Sequence, residues 1–161
     1  MKKTTALLLA LLLGLSLVSA AGAAPAEKPA KYVFFFIGDG MGAPQISATQ
    51  YYLGTQANPD AAMPTPEALS FTSFKNVGVM TTYDATSFCP DSASTASSMA
   101  GGQKTLSGVI NYDVNKEKTF KLVSEYAKEA GMKVGVISTV SLDHATPAAF
   151  YSKATSRNFY Y

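Results

Sequence analysis

Three short segments carry the side chains that could do chemistry. In the first, Asp91 and Ser92 open a run of small residues that continues through Ala93, Ser94, Thr95, Ala96, Ser97 and Ser98 to Gly101. Small residues of this kind suit a close-packed helix, and a hydroxyl in its first turn stands where backbone N–H groups point at a bound anion. A serine hydroxyl becomes a nucleophile only when a base or a metal ion draws off its proton. The chain holds a single histidine, His144, so activation by a divalent cation is the more economical route. Taken alone, Asp91 or Ser92 serves equally well as a helix cap.

The second segment, Gly38-Asp39-Gly40-Met41-Gly42, is a glycine turn built around a carboxylate. A dinucleotide-binding loop would aim backbone amides at a pyrophosphate, which this carboxylate would repel, so a cation suits the turn better. In isolation it reads as an ordinary turn Asp. The third, Asp143-His144-Ala145-Thr146-Pro147, offers an imidazole and a hydroxyl that can serve a hard cation directly or through water. Beyond it stands Arg157, the chain's one arginine, whose planar fork of donors matches a phosphate. By itself this segment is a capped helix followed by a solvated Arg. Gly102-Gln103-Lys104-Thr105 resembles the end of a phosphate-cradling P-loop, but Gln103 breaks the Gly-Lys adjacency that loop needs.

The elements that must position these groups follow from the apolar pattern. Residues 31–38 form an unbroken apolar, β-branched and aromatic run without alternation, the pattern of a strand buried on both faces. After the glycine turn, Pro44 marks a first helical turn, and Ile46, Thr49 and Leu53 follow at helical spacing. Gly54, Pro59, Pro64 and Pro66 make residues 54–70 a surface connection with about one helical turn. A second strand is predicted over 76–83. Phe120, Val123, Tyr126, Ala127 and Ala130 share one helical face that Gly131 closes. A strand over 133–140 and a helix over 147–156 complete the series. Strands alternating with helices imply an α/β fold with a mainly parallel central sheet. Asp39, residues 84–92 and residues 141–146 all follow predicted strands, where the loops of such a sheet gather ligands.

Lys2 and Lys3, the apolar run Ala6 to Val18 and the small residues 19–24 read as a cleavable signal peptide over 1–23, which leaves 24–161 as the folded domain. The run is shorter than the ~20 apolar residues a membrane-spanning helix needs. The mature chain is therefore expected in the periplasm or secreted, with no membrane anchor. Without the leader, acidic and basic residues balance at a net charge of about zero, and the lysines are scattered. Nucleic-acid binding is not expected. Cys89, the one cysteine, excludes an intrachain disulfide framework and is expected to pack beside the site as a small residue.

Together, Gly38-Asp39-Gly40-Met41-Gly42, Asp91-Ser92-Ala93 with Thr95-Ala96, and His144-Ala145-Thr146-Pro147 continuing to Ser156-Arg157 resemble the alkaline phosphatase family in order and spacing. The resemblance runs from Lys31 onward and implies a three-layer α/β/α fold, of which this chain would be an N-terminal part. It implies hydrolysis of small-molecule phosphate monoesters through a phosphoserine, at a site holding two zinc ions and one magnesium ion. Ser92 is then similar to the nucleophile and a zinc ligand, and Asp39 to the carboxylate lying between a zinc and the magnesium. Thr146 resembles a magnesium ligand, His144 a residue serving the magnesium directly or through water, and Arg157 the clamp on two phosphoryl oxygens. The family is commonly homodimeric. A sulfatase or phosphodiesterase of the same superfamily, a non-catalytic phosphate binder, and a metal-free Ser92–His144 hydrolase are the competing readings. The last lacks the Gly-x-Ser-x-Gly elbow.

Overall fold

The computed structural model describes residues 30–159, so the expected leader over 1–23 lies outside the described residues. The described residues fall into two units, residues 30–37 and residues 38–159. In the first, residues 30–37 carry no helix or strand, and Tyr32, Phe34 and Phe36 are exposed.

The second unit opens with the expected glycine turn, which Met41 N–H closes on Gly38 O at 3.1 Å. Gly40 takes φ +70°, a left-handed value that glycine adopts without steric cost. Helix α1, Ala43–Ala57, follows directly, with Pro44 in its first turn and the Gln45 side chain accepting the Gly42 N–H at 3.0 Å. The 54–70 connection folds back on α1, where Glu67 N–H donates to Gln50 O at 2.9 Å. A 3-10 turn at Ser70–Ser73 ends it.

Helix α2, Ser92–Gly101, is the centre of the unit. Asp91 caps its start by accepting the Ser94 N–H at 3.0 Å, and Gly102 at φ +70° ends it. Its buried face is Ala93, Ser94, Ala96, Ser97 and Ala100, so neighbours approach its backbone closely. At Gly101 a Cβ would lie 2.7 Å from that of Phe120. Packed on this face are Ile110, Phe120, Leu122 and the alanines of helix α4, Ala145–Ala148. Alanines release little apolar surface each, so hydrogen bonds share the work of holding this core.

Asn111 supplies three of them. It is fully buried at φ +57°; its amide nitrogen donates to Ala149 O and Ser152 O, both at 2.7 Å, and its backbone N–H donates to Ser97 Oγ at 2.9 Å. One residue thus ties α2, through its backbone N–H, to the end of α4, through its side chain. This also explains why the helix expected over 147–156 stops early. The Ala149 and Ser152 carbonyls are committed to Asn111, and Ala154 pairs with Ile110 in an antiparallel bridge.

Helix α3 spans Val123–Glu129, with Glu125 accepting the Leu122 N–H at 2.7 Å and Gly131 at φ +80° beyond its end. Its buried contacts differ from expectation: Phe120 and Leu122, just ahead of the helix, enter the core, while Val123 and Tyr126 are exposed. Packing is made by the residues leading into the helix rather than by one of its faces.

The runs 31–38, 76–83 and 133–140 do not form strands; among the described residues the only β pairing is two isolated bridges, Ile110 with Ala154 and Tyr112 with Thr119. A strand is secured by the ladders beside it, and these runs have none there. Val79 and Ile137 are almost wholly exposed in consequence. The helical half of the expected α/β arrangement is formed, and among the described residues no sheet is laddered.

Candidate active site

The turn carrying Asp39, the start of α2 and the start of α4 meet at one place. Ser92 Oγ lies 3.1 Å from each carboxylate oxygen of Asp39, and Thr146 Oγ1 donates to Asp39 Oδ2 at 2.9 Å. Residues 53 and 107 positions apart in the chain are thereby gathered on one carboxylate. Asp39 is exposed and Ser92 and Thr146 partly so, which leaves the trio open to a ligand.

His144 is the N-cap residue of α4, and its Nδ1 is buried with no hydrogen-bond partner. A buried nitrogen of this kind costs free energy unless something outside the protein satisfies it. The Ser92 hydroxyl is directed to Asp39, an arrangement that gives no support to a Ser92–His144 dyad.

Arg157 is brought to the same helix start. Its backbone N–H donates to Gly108 O at 2.7 Å, and its Nη1 lies 3.0 Å from Asp91 Oδ2. Both side chains of this ion pair are about a quarter to a third exposed, at 26% for Asp91 and 31% for Arg157. Burial pushes the Asp91 carboxyl up, but the Ser94 and Gly108 amides, the Ser94 hydroxyl and the Arg157 guanidinium outweigh it and hold the group below the usual carboxylate range. Asp91 is therefore both the helix cap that sequence suggests and the partner that fixes Arg157. A guanidinium has five N–H donors, so one bond to Asp91 leaves others for an anion.

Behind the helix start lies Asp84, a buried carboxylate that sequence reasoning did not single out. Its Oδ1 accepts the Thr86 and Ser87 amides, both at 2.7 Å, and the Thr86 hydroxyl at 2.9 Å. Oδ2 accepts from the Ser94 and Ser107 hydroxyls. Burial would raise this carboxyl, but the Ser107 hydroxyl, the Thr86 amide and the Ser94 and Thr86 hydroxyls together hold it far below its ordinary value. The spacing Asp84-x-Thr86-Ser87, a polar side chain able to bond amides two and three residues on, was the available signal.

Cys89 departs from expectation: it is exposed rather than packed beside the site. Ser87 Oγ accepts the Cys89 N–H and donates to its carbonyl, both at 3.0 Å, and this local turn runs along the surface.

The cation expected here can be tested against the donors. Asp39, Ser92 and Thr146 offer only oxygen atoms, the donor type that magnesium-like cations take. Zinc at a catalytic centre takes three protein ligands drawn from His, Cys and carboxylates. Among the described residues no three such side chains gather. The donor set fits a hard cation, and it does not by itself fit a complete zinc site.

The family model for alkaline phosphatase matches residues 30–161. The chain belongs to the alkaline phosphatase family. It is 36% identical over 139 residues to Alkaline phosphatase 4 of Drosophila melanogaster, an alignment covering 83% of this chain and 23% of that protein. To the alkaline phosphatase of Escherichia coli K12 it is 35% identical over 138 residues, covering 83% of this chain and 28% of the relative. It thus spans about a quarter of the length of these curated relatives. Among solved structures, the cold-active alkaline phosphatase of Shewanella sp. superposes with a TM-score of 0.68 at 37% identity, over 76% of this chain and 30% of that one. The alkaline phosphatase of the Antarctic bacterium TAB5 gives 0.55 at 30% identity, over 68% and 30%. A TAB5 variant with histidine replaced by aspartate is described with magnesium bound in its M3 site. These neighbours support an alkaline phosphatase-like fold. Among the described residues no helix is long and apolar enough to cross a membrane.

Proposed function

We propose that this chain supplies the nucleophile and the phosphate clamp of a phosphate monoester hydrolase. The observation that carries the reading is the convergence of Ser92, Asp39 and Thr146 within hydrogen-bond distance, with Arg157 fixed at the start of the same helix. Ser92 Oγ, its proton leaving by way of the Asp39 carboxylate, attacks phosphorus in line with the ester oxygen; the O–P bond of phosphoserine forms as the bond to the alcohol breaks, and the departing alkoxide takes a proton from water. Asp39 holds the Ser92 hydroxyl in place and accepts its hydrogen bond before attack. Amides in the first turn of α2 face the phosphoryl oxygens, and Arg157 donates to two of them while Asp91 holds its far side. Water then cleaves the O–P bond, releasing inorganic phosphate and restoring Ser92.

Asp39, Ser92 and Thr146 would hold the divalent cations, with His144 serving the magnesium directly or through water. Two zinc ions and one magnesium complete the reading, several zinc ligands coming from outside the described residues. Bound there, the cations would lower the pKa of the serine hydroxyl and offset charge on the oxygens of the transferred group. Periplasmic or secreted location, by way of the leader over 1–23, and a homodimer belong to the same proposal.

Arg157 gives the reading a direct test. Arg157→Ala in the full-length protein is expected to weaken inhibition by inorganic phosphate by about 2 to 4 kcal/mol, since it removes a charge-assisted bidentate contact. Metal content, measured by atomic emission on the same samples, should stay close to wild type because the guanidinium binds no cation. Unchanged phosphate inhibition would sink the assignment.

A further inference from the structure

We infer that Asp84 is a positioning residue for phosphate binding, acting on Arg157 through a relay of Ser94 and Asp91. The inference rests on the reading of Arg157 as the phosphate clamp and adds to it the device that sets the clamp's angle.

The relay is continuous. Ser94 Oγ lies 2.9 Å from Asp84 Oδ2 and 2.8 Å from Asp91 Oδ1, and Asp91 Oδ2 lies 3.0 Å from Arg157 Nη1. Ser94 is fully buried and Asp84 almost so. The hydroxyl has one hydrogen to share between two carboxylates, so it can donate to only one at a time. Asp84 has four other donors: the Thr86 and Ser87 amides and the Thr86 and Ser107 hydroxyls. Asp91 has the Ser94 amide and Arg157. The hydrogen therefore passes between the two carboxylates, and in either position the Ser94 backbone N–H stays on Asp91 Oδ1, the oxygen opposite the one Arg157 holds, so that the bond to Asp84 fixes the residue that holds Asp91. Held from both sides, the Asp91 carboxylate has one orientation, and the guanidinium inherits it.

Two features separate this from plain structural support of α2. The Asp91 side chain also caps the helix through the Ser94 amide, so helix start and clamp share one carboxylate. In addition, Asp84 is held to both the 84–87 loop and Ser107, next to Gly108, whose carbonyl accepts the Arg157 backbone N–H. The relay therefore reaches Arg157 by its side chain and its backbone together.

The test is a double-mutant cycle on phosphate affinity in the full-length protein, read as the inhibition constant of inorganic phosphate. Asp84→Ala and Ser94→Ala should each weaken phosphate about three- to tenfold in the wild-type background. In the Arg157→Ala background each should change it less than about twofold, because the residue they orient is gone. Asp84→Asn should stay within about twofold of wild type, since its amide oxygen can accept from Thr86 and Ser87 and its nitrogen can donate to Ser94. Ser94→Ala leaves the other bonds of Asp84 in place, so it remains informative if Asp84→Ala fails to fold. Equal weakening in both backgrounds would make the role one of general support and overturn the relay. So would an Asp84→Asn variant as weak as Asp84→Ala, or single variants without effect. If Arg157→Ala alone leaves phosphate binding unchanged, the functional reading falls first; if it weakens binding and the cycle is additive, only the relay falls.

Discussion

Ser92→Ala in the full-length protein is expected to abolish the phosphoserine and with it turnover of phosphate monoesters. The change removes the one atom that the reaction needs as a nucleophile, so the loss is one of mechanism and not of degree. What remains is well defined. Asp91 still caps α2 through the Ser94 amide, the buried alanine face is untouched, and alanine is a strong helix former. The cost to the fold is the hydrogen bond between Ser92 Oγ and Asp39, a partly exposed contact. Folding stability should therefore stay within about 1 kcal/mol of wild type. The measurement is covalent labelling: incubation with radioactive phosphate at low pH, acid quench, and counting of protein-bound label, with a denaturation curve on the same sample. Label retained on the Ala variant at the wild-type level would place the nucleophile elsewhere. The same assay separates a working hydrolase from a phosphate binder that keeps the fold without turnover, since only the former is labelled.

The residues of the candidate site were legible in the sequence from three segments taken together, each of which alone reads as a turn or a helix cap. Asp39 sits in a glycine turn that a carboxylate does not require, and Ser92 heads a helix of small side chains with an acidic cap before it. What was not legible is the set of partners that join these segments. Nothing in spacing alone pairs Asp91 with Arg157 across 66 positions, or Asn111 with the carbonyls after α4. Such bonds depend on which surfaces pack, and small-residue helices leave that choice to a few polar side chains. Helices α1 and α2 were readable from Pro44 and Asp91, which act within one turn. The helix expected over 147–156 was cut short by Asn111, a residue far away in sequence. The predicted strands fared differently again. Apolar runs at 31–38, 76–83 and 133–140 satisfy the pattern of buried strands, yet a strand needs a ladder beside it, and the described residues provide none to these runs.

The second large effect concerns the chain of residues 24–161 by itself, which is expected to show no zinc-dependent phosphatase activity. The limit is the supply of ligands. A catalytic zinc takes three protein ligands as a rule, mainly His, Cys and carboxylates, and the mechanism asks for two such centres. The chain has one histidine and one cysteine, and that cysteine is exposed on a surface turn. Carboxylates could make up the number only by gathering, but Asp84 is spent on hydroxyls and amides behind α2 and Asp91 on Arg157 and the helix cap. That leaves Asp39 with two hydroxyls, a set suited to one hard cation. Solubility should suffer too, because Val77, Val79, Phe88 and Ile137 are each at least 87% exposed, and unladdered apolar runs of this kind drive association between chains. The test is to express residues 24–161, add zinc and magnesium, and follow a chromogenic phosphate ester at alkaline pH. The Ser92→Ala form of the same residues serves as the control for contaminating host enzyme, and size-exclusion chromatography reports association. Turnover that depends on zinc and clearly exceeds that control would show that Asp39, Asp91, Ser92 and His144 suffice to build the centre, and the ligand argument would fail.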